Sequence, residues 1–212
     1  MSALTDVSAA TMLKSQNTDM ASLPIYLVNL DRSRHRLDDV KKAMAELNLD
    51  FQRVSAVDGR AVSNSAVNAV YSHQLNTERY NYDLTMGEIA CYMSHRKAWQ
   101  KLLDSEDNAA IILEDDIVLD PLFAQLQKPV AALADSRIAH WDLIKLAQPF
   151  RPKESQPLET FGDFQLVDYK KPPMGACAYL LSRQGAKKLL SRVPFFRPVD
   201  VDMQWQWETG AH

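Results

Sequence analysis

The stretch Ala109-Ala110-Ile111-Ile112-Leu113-Glu114-Asp115-Asp116 runs an apolar segment straight into three carboxylates, and that order decides the fold reading. A short apolar run without a helical period reads as a buried strand. The acids therefore fall at its carboxyl end, where open α/β sheets place ligand sites. Adjacent carboxylates repel one another, and burying them without counter-charge is costly. A divalent cation is the simplest partner. Oxygen-only ligands suit Mg²⁺ or Mn²⁺, which keep waters and bridge one or two carboxylates to substrate phosphates. If strand geometry persists, Glu114 and Asp116 point one way and Asp115 the other, with Asp116 the first choice as ligand. The alternative is a solvated loop or a cap of the next helix, although that helix has its own start signal at Asp120-Pro121.

Working outward, Ile25-Tyr26-Leu27-Val28-Asn29-Leu30 is a second buried strand by composition. Asp31 or Ser33 can cap a helix whose apolar face is Leu37, Val40, Met44 and Leu47, with Asn48 ending it. Phe51-Gln52-Arg53-Val54 reads as a strand closed by the turn pair Asp58-Gly59, which completes a βαβ opening. Residues 60–84 read as an irregular excursion that covers a site. From Thr85 to Leu103, apolar positions at helical spacing predict a long helix, buried all round in its first turns through Met86, Ile89, Ala90 and Met93. Downstream, the pattern predicts a helix from Pro121 to about Ala134, a strand over Trp141–Leu146 and a loop from Gln148 to Glu159. It continues with a strand over Phe164–Tyr169, an apolar strand over Met174–Leu181, and a helix capped by Ser182 and stopped by Pro194. Alternating strands and helices imply an α/β sandwich with a mostly parallel central sheet flanked by helices.

The chain has 212 residues and is 46% hydrophobic, enough for one sizeable core. Residues 1–22, rich in Ser, Thr and Ala, read as a flexible leader, and residues 23–212 as a single domain. A formal net charge of −3 argues against non-specific nucleic-acid binding. Cys91 and Cys177 sit in apolar segments, which fits reduced thiols in a cytoplasmic protein. No stretch has the length of a membrane span and residues 1–22 lack a signal-peptide pattern, so export is not expected. Peripheral attachment at a membrane stays open.

Further groups point to chemistry. Asn29-Leu30-Asp31-Arg32-Ser33-Arg34-His35-Arg36 lies where a strand feeds a helix, a common nucleotide position. Its arginines can hold phosphate, and Asp31 and Arg36 are preferred over a solvated Arg34 and His35. No GxGxxG or GKS/T pattern is present, which disfavours dinucleotide cofactors and P-loop chemistry. Glu88 and His95 fall two turns apart on one buried face, as a shared network or as satisfied core residues. Ser94 is a candidate hydroxyl contact. Pro198-Val199-Asp200-Val201-Asp202 offers either a general base or a helix cap.

Taken in order, these pieces resemble glycosyltransferase family 25, the group of bacterial lipopolysaccharide and lipooligosaccharide galactosyltransferases and, more distantly, collagen galactosyltransferases. The resemblance runs from Ile25–Ser33 and Arg36 through Ala56-Val57-Asp58-Gly59, Gly87–Cys91 with Ser94-His95, and Ile112–Asp116. It ends with Gly175, Ala178-Tyr179, Ser182, Gly185-Ala186 and Val199-Asp200. It implies a GT-A-like, Rossmann-like fold, a UDP-sugar donor, most often UDP-galactose, and inversion at the anomeric carbon. It also implies Mn²⁺ or Mg²⁺ held by Glu114, Asp115 and Asp116 as a DxD-like motif. Asn29, Asp31, Arg36, Asp58, Glu88, Ser94 and Gly175 would shape the donor pocket, with Asp200 as general base and His95 as second choice. The expected acceptor is a saccharide on a lipid carrier. The chain stops at His212, where similar proteins usually continue, so a shortened acceptor side is expected. The competing reading is a non-catalytic scaffold of the same fold; a metal-dependent phosphohydrolase lacks a nucleophile or histidine ligand pair.

Overall fold

All five residues of Ile25–Asn29 are buried and form β1, the strand around which the sheet is built. The computed structural model describes residues 23–80, 82–126, 133, 141–147 and 151–212, so the expected leader lies outside the described residues. Helix α1 (Arg34–Glu46) follows, burying Val40 and Met44, and Asn48 ends it at φ 54°. Ser33 stands at its start without a side-chain cap, and the Asp31 carboxylate goes elsewhere. β2 (Gln52–Ser55) then runs parallel to β1, completing the expected βαβ unit.

The excursion over 60–84 is not irregular. It carries α2 (Asn64–Asn68) and α3 (His73–Arg79), capped by the Ser63 and Ser72 hydroxyls. The long helix α4 spans Met86–Asp104 and opens with a complete capping box between Thr85 and Glu88. Its first turn is less buried than expected, since Met86 is 40% exposed. β3 (Ala109–Glu114) lies parallel to β1. The helix expected from Pro121 is, in its described part, one 3₁₀ turn over Pro121–Gln125.

β4 (Leu143–Lys145) is shorter than its apolar run. Within the stretch expected as loop, Ser155–Phe161 is β5, paired with β6 (Phe164–Tyr169) in a separate hairpin. Gly162, at φ 60°, supplies the positive φ that its two-residue turn requires. β7 begins only at Ala178 and ends at Ser182, whose hydroxyl caps α5 (Arg183–Leu190). Two short helices, α6 (Val199–Asp202) and α7 (Gln206–Thr209), close the chain, and His212 N–H docks on Asp142 Oδ2 at 2.9 Å.

The main sheet has the order β2-β1-β3-β7-β4. Only β7 runs against its neighbours, so the expected mostly parallel, Rossmann-like GT-A sandwich is the observed architecture. Strand alternation divides the core between two faces. Tyr26, Val28, Ile112, Tyr179 and Leu181 pack with Tyr92, Trp99 and Leu102 of α4 and Leu189 of α5. Ile25, Leu27, Ile111, Leu113 and Leu180 pack with Val40 and Met44 of α1. Truncating one such buried leucine to alanine costs about 2–5 kcal/mol. The carboxyl ends of β1, β2, β3 and β4 consequently share one edge of the molecule.

Candidate active site

Asn29, the last residue of β1, is only 1% exposed and joins two polar groups. Its side-chain oxygen accepts from Arg53 Nε at 2.8 Å, and its amide nitrogen donates to Asp115 Oδ2 at 2.6 Å. Arg53 also reaches the Asn29 carbonyl at 3.1 Å and Asp31 Oδ1 at 2.5 Å. Hydrogen bonds from Arg53 and then Ser55 hold the Asp31 carboxyl below its ordinary range. Beside them, Asp58 accepts from Arg60 N and Arg32 Nε, each at 2.9 Å, and those bonds, the backbone one first, lower its pKa as well. The result is a polar crevice of amide, guanidinium and carboxylate groups at the ends of two parallel strands.

The acidic triplet fans out across the sheet. β3 ends at Glu114 and the chain bends at Asp115 and Asp116, so alternation still sets Glu114 and Asp115 on opposite faces but no longer fixes Asp116. Asp115 turns to the α1 face, with Asn29 on Oδ2 and Arg36 Nη1 at 3.1 Å on Oδ1. Asp116 is more than half exposed and lies 3.8 Å from the same guanidinium. Both border a cavity of about 300 Å³ together with His35, Arg36 and Ile117. Glu114 faces the opposite way, toward α4. Asp115 has both oxygens occupied, whereas Asp116 and the second oxygen of Glu114 have no hydrogen-bond partner among the described residues and are the oxygens the triplet would offer to Mn²⁺ or Mg²⁺.

Glu114 instead meets His95 and Cys91, one helical turn apart on α4. His95 Nε2 lies 2.8 Å from Glu114 Oε1, and Cys91 Sγ donates to the same oxygen at 3.8 Å. His95 Nδ1 is 2.8 Å from the Tyr179 hydroxyl, which also accepts from Trp99 Nε1 at 2.8 Å. The indole can only donate. The ionised Glu114 can only accept, so Nε2–H donates to it, and Nδ1 of the neutral ring accepts from the Tyr179 hydroxyl. Burial opposes charge on Glu114, but the bonds from His95 and Cys91 outweigh it and keep the carboxyl below its ordinary range. Burial, followed by the charge of Glu114, pushes the Cys91 thiol up to about 12. The three ligand atoms lie within 4.8 Å of one another, a nitrogen–sulfur–oxygen set suited to a borderline cation rather than to Mg²⁺. Mutual hydrogen bonds also satisfy them without one.

On the same face, Gly175, at φ 94°, is held from both sides. Its N–H donates to Asp200 Oδ2 at 2.9 Å, and its carbonyl accepts from Lys145 Nζ. Burial pushes the Lys145 ammonium down to about 8, against the pull of Asp200 and Cys177.

The family model described as "Glycosyltransferase family 25 (LPS biosynthesis protein)" matches residues 22–205. The chain belongs to glycosyltransferase family 25. It is similar to a glycosyltransferase 25 family member of Aedes aegypti, 35% identical over 185 residues, covering 84% of this chain and 29% of that protein. It is 29% identical to procollagen galactosyltransferase 2 of Homo sapiens over 185 residues, with the same coverage of 84% and 29%. Procollagen galactosyltransferase 1-B of Xenopus laevis is 30% identical over 204 residues, 92% of this chain and 32% of that one. The chain thus spans less than a third of the length of these relatives.

Within this family 25 chain, Asn29, Asp31 and Asp58 gather at the β1–β2 ends, with Arg36 reaching them through Asp115. Three expected site residues have other work. Glu88 closes the α4 capping box through Thr85 N and Oγ, both at 2.8 Å, and makes no network with His95. Ser94 braces the chain after β2, accepting from Val57 N at 2.8 Å while donating to Ala90 O at 2.6 Å. His95, fully buried with both nitrogens engaged, has no atom left for an acceptor proton. The sequence reading passed over Arg53, Lys145, Tyr179 and Trp99. Lys145 closes β4 after Leu143 and Ile144, the signal that drew attention to Glu114, whereas Arg53 lies inside β2 between Gln52 and Val54 and carries no such signal.

Proposed function

We propose that this chain transfers a sugar, galactose first, from a UDP-sugar to a saccharide acceptor on a lipid carrier, as in lipopolysaccharide or lipooligosaccharide assembly, with inversion at the anomeric carbon. The observation that carries this reading is the meeting of Asn29, Arg53, Glu114 and Asp200 at the carboxyl edge of the sheet, in a chain of family 25. Parallel α/β sheets bind nucleotides there. Asn29, Asp31, Arg53 and Asp58 suit the nucleoside, through directed donors and acceptors.

Inversion is a direct displacement. The acceptor hydroxyl oxygen bonds to the anomeric carbon, the bond to the diphosphate oxygen breaks, and its electron pair leaves with the diphosphate. Asp200 suits the base that takes the hydroxyl proton. Gly175 N–H fixes its Oδ2, and no described residue is bonded to its other oxygen. If Mn²⁺ or Mg²⁺ binds at the triplet, Asp116 and the second oxygen of Glu114 would hold it, and it would neutralise charge on the departing diphosphate. Two free cysteines support a reducing, cytoplasmic setting. Among the described residues no helix is long and apolar enough to cross a membrane.

Release of UDP from a panel of UDP-sugars, with and without Mn²⁺, tests the reading. UDP-galactose should turn over fastest; a protein that neither binds nor cleaves any of the panel would favour the non-catalytic scaffold, a reading to which the closed Asp115–Arg36 pair lends support.

A further inference from the structure

We propose that Lys145 is the phosphate-binding cation of this site, taking the diphosphate of a nucleotide-sugar laid across the strand ends from Asn29. The identity of the anion rests on the nucleotide-sugar reading above; the anion site itself stands on the following geometry.

The Lys145 ammonium is partly buried, carries three N–H donors, and uses one of them on the Gly175 carbonyl. Among the described residues no carboxylate comes within ion-pair distance of it, and Asp200, the carboxylate that acts on it from farther off, commits Oδ2 to Gly175 N. The other partly buried cations of the main sheet and its helices are provided for, Lys101 by the Tyr26 ring at 5.4 Å. Arg53 has Asp31, Lys188 has Asp142, and Arg192 and Arg197 share Asp202 and Glu208. Arg96 and Arg183 also lack a carboxylate, but they spread their donors over carbonyls at the ends of α5 and α4, a standard place for a cation. Lys145 has a single carbonyl. A buried cation so thinly satisfied is costly, and an anion relieves that cost.

Position and space agree. Ile112, Tyr179 and Lys145 are register partners across β3, β7 and β4. Their side chains therefore share the α4 face, and Glu114, two residues beyond Ile112, shares it too. From β1 to β4 is three strand spacings, roughly 14 Å at the usual interval, a gap that a nucleoside diphosphate sugar can bridge and a nucleoside cannot. The volume beside Gly175 is open, since a Cβ built there would meet nothing within 4 Å. On this face Lys145 brings positive charge to the end of the path that a leaving diphosphate would occupy.

Calorimetric titration in EDTA at neutral pH decides the matter, using UDP, inorganic pyrophosphate and uridine as probes. Lys145→Gln keeps a donor for Gly175 and removes the charge, while Lys145→Arg keeps the charge. Lys145→Gln should weaken UDP and pyrophosphate at least tenfold and leave uridine unchanged, with Lys145→Arg recovering most of the loss. Wild-type protein that binds pyrophosphate through Lys145 and ignores UDP would keep the anion site and remove the nucleotide-sugar reading. Equal UDP affinity in wild type and a folded Lys145→Gln, checked by its melting temperature, would keep that reading and overturn the proposal. Failure of the wild type to bind either anion would remove both.

Discussion

His95 Nε2 and Glu114 Oε1 lie 2.8 Å apart, so a fully buried imidazole holds the first acid of the triplet from behind. The chain Trp99–Tyr179–His95–Glu114 has one direction, because the carboxylate at its end can only accept and the indole at its start can only donate. Tyr179→Phe removes the middle link and leaves Trp99 Nε1 and His95 Nδ1 buried without partners. Each orphaned group costs about 1–3 kcal/mol. Urea unfolding should show that loss, and an unchanged midpoint would mean that the chain of donors is not formed in solution.

Acid titration should expose the same contact. The folded Glu114 carboxyl is held below its ordinary value of 4.5, so the folded state favours the ionised form. Its contribution is complete above the unfolded pKa and disappears as pH falls through the lower folded one. The stability gap between wild type and Glu114→Gln should therefore be constant near neutrality and narrow below about pH 4.5. Urea midpoints across that range give the test; a gap that stays constant to pH 3 would assign the stabilisation to packing instead.

Asp202 and Asp200 sit two residues apart and do unrelated work. Asp202, 1% exposed, receives Arg197 Nε at 2.9 Å, Tyr92 OH at 2.9 Å and Arg192 at 3.4 Å. Burial, then the Asp202 charge, pushes the Tyr92 hydroxyl well up. Removing one partner of such a buried set strands the others and costs about 3–5 kcal/mol. Asp202→Ala should lose that much in chemical denaturation, whereas a surface pair such as Lys170–Glu154 should contribute about 0–1 kcal/mol. Similar losses for Asp202→Ala and Glu154→Ala would contradict the burial.

Where a pattern is local, the sequence sufficed. The apolar runs of β1 and β3, the stripe of α4 and the Ser182 cap each occupy consecutive positions, so periodicity and end signals expose them. α2 and α3 escaped because they are short and lean on distant partners; Asn76 of α3 is fully buried by donating to the Phe196 carbonyl, 120 residues away. β5 escaped because its residues are mostly exposed and it pairs only with β6. In the site, strand ends were legible as positions, but the side chains that complete them were not. Tyr179 reaches His95 across 84 residues and Lys145 reaches Gly175 across 30. The opposite directions of Glu114 and Asp115 were legible from alternation, whereas Asp116, beyond the end of the strand, takes its place beside Arg36 from the bend that follows.

The assignment of Asp200 as base makes the sharpest functional prediction. Asparagine at this position still offers an oxygen to Gly175 N–H, so Asp200→Asn keeps the bond that holds the turn and loses only basicity. General-base catalysis is worth about 10²–10⁴-fold in rate. Asp200→Asn should then lose sugar transfer by that factor while UDP affinity and melting temperature stay close to wild type. Parallel loss of UDP affinity would recast Asp200 as part of the donor pocket, acting through Gly175 and Lys145. Undiminished transfer would send the search for the base to Glu114, whose Oε1 is committed to His95 and Cys91 and whose second oxygen is the nearest alternative on the same face.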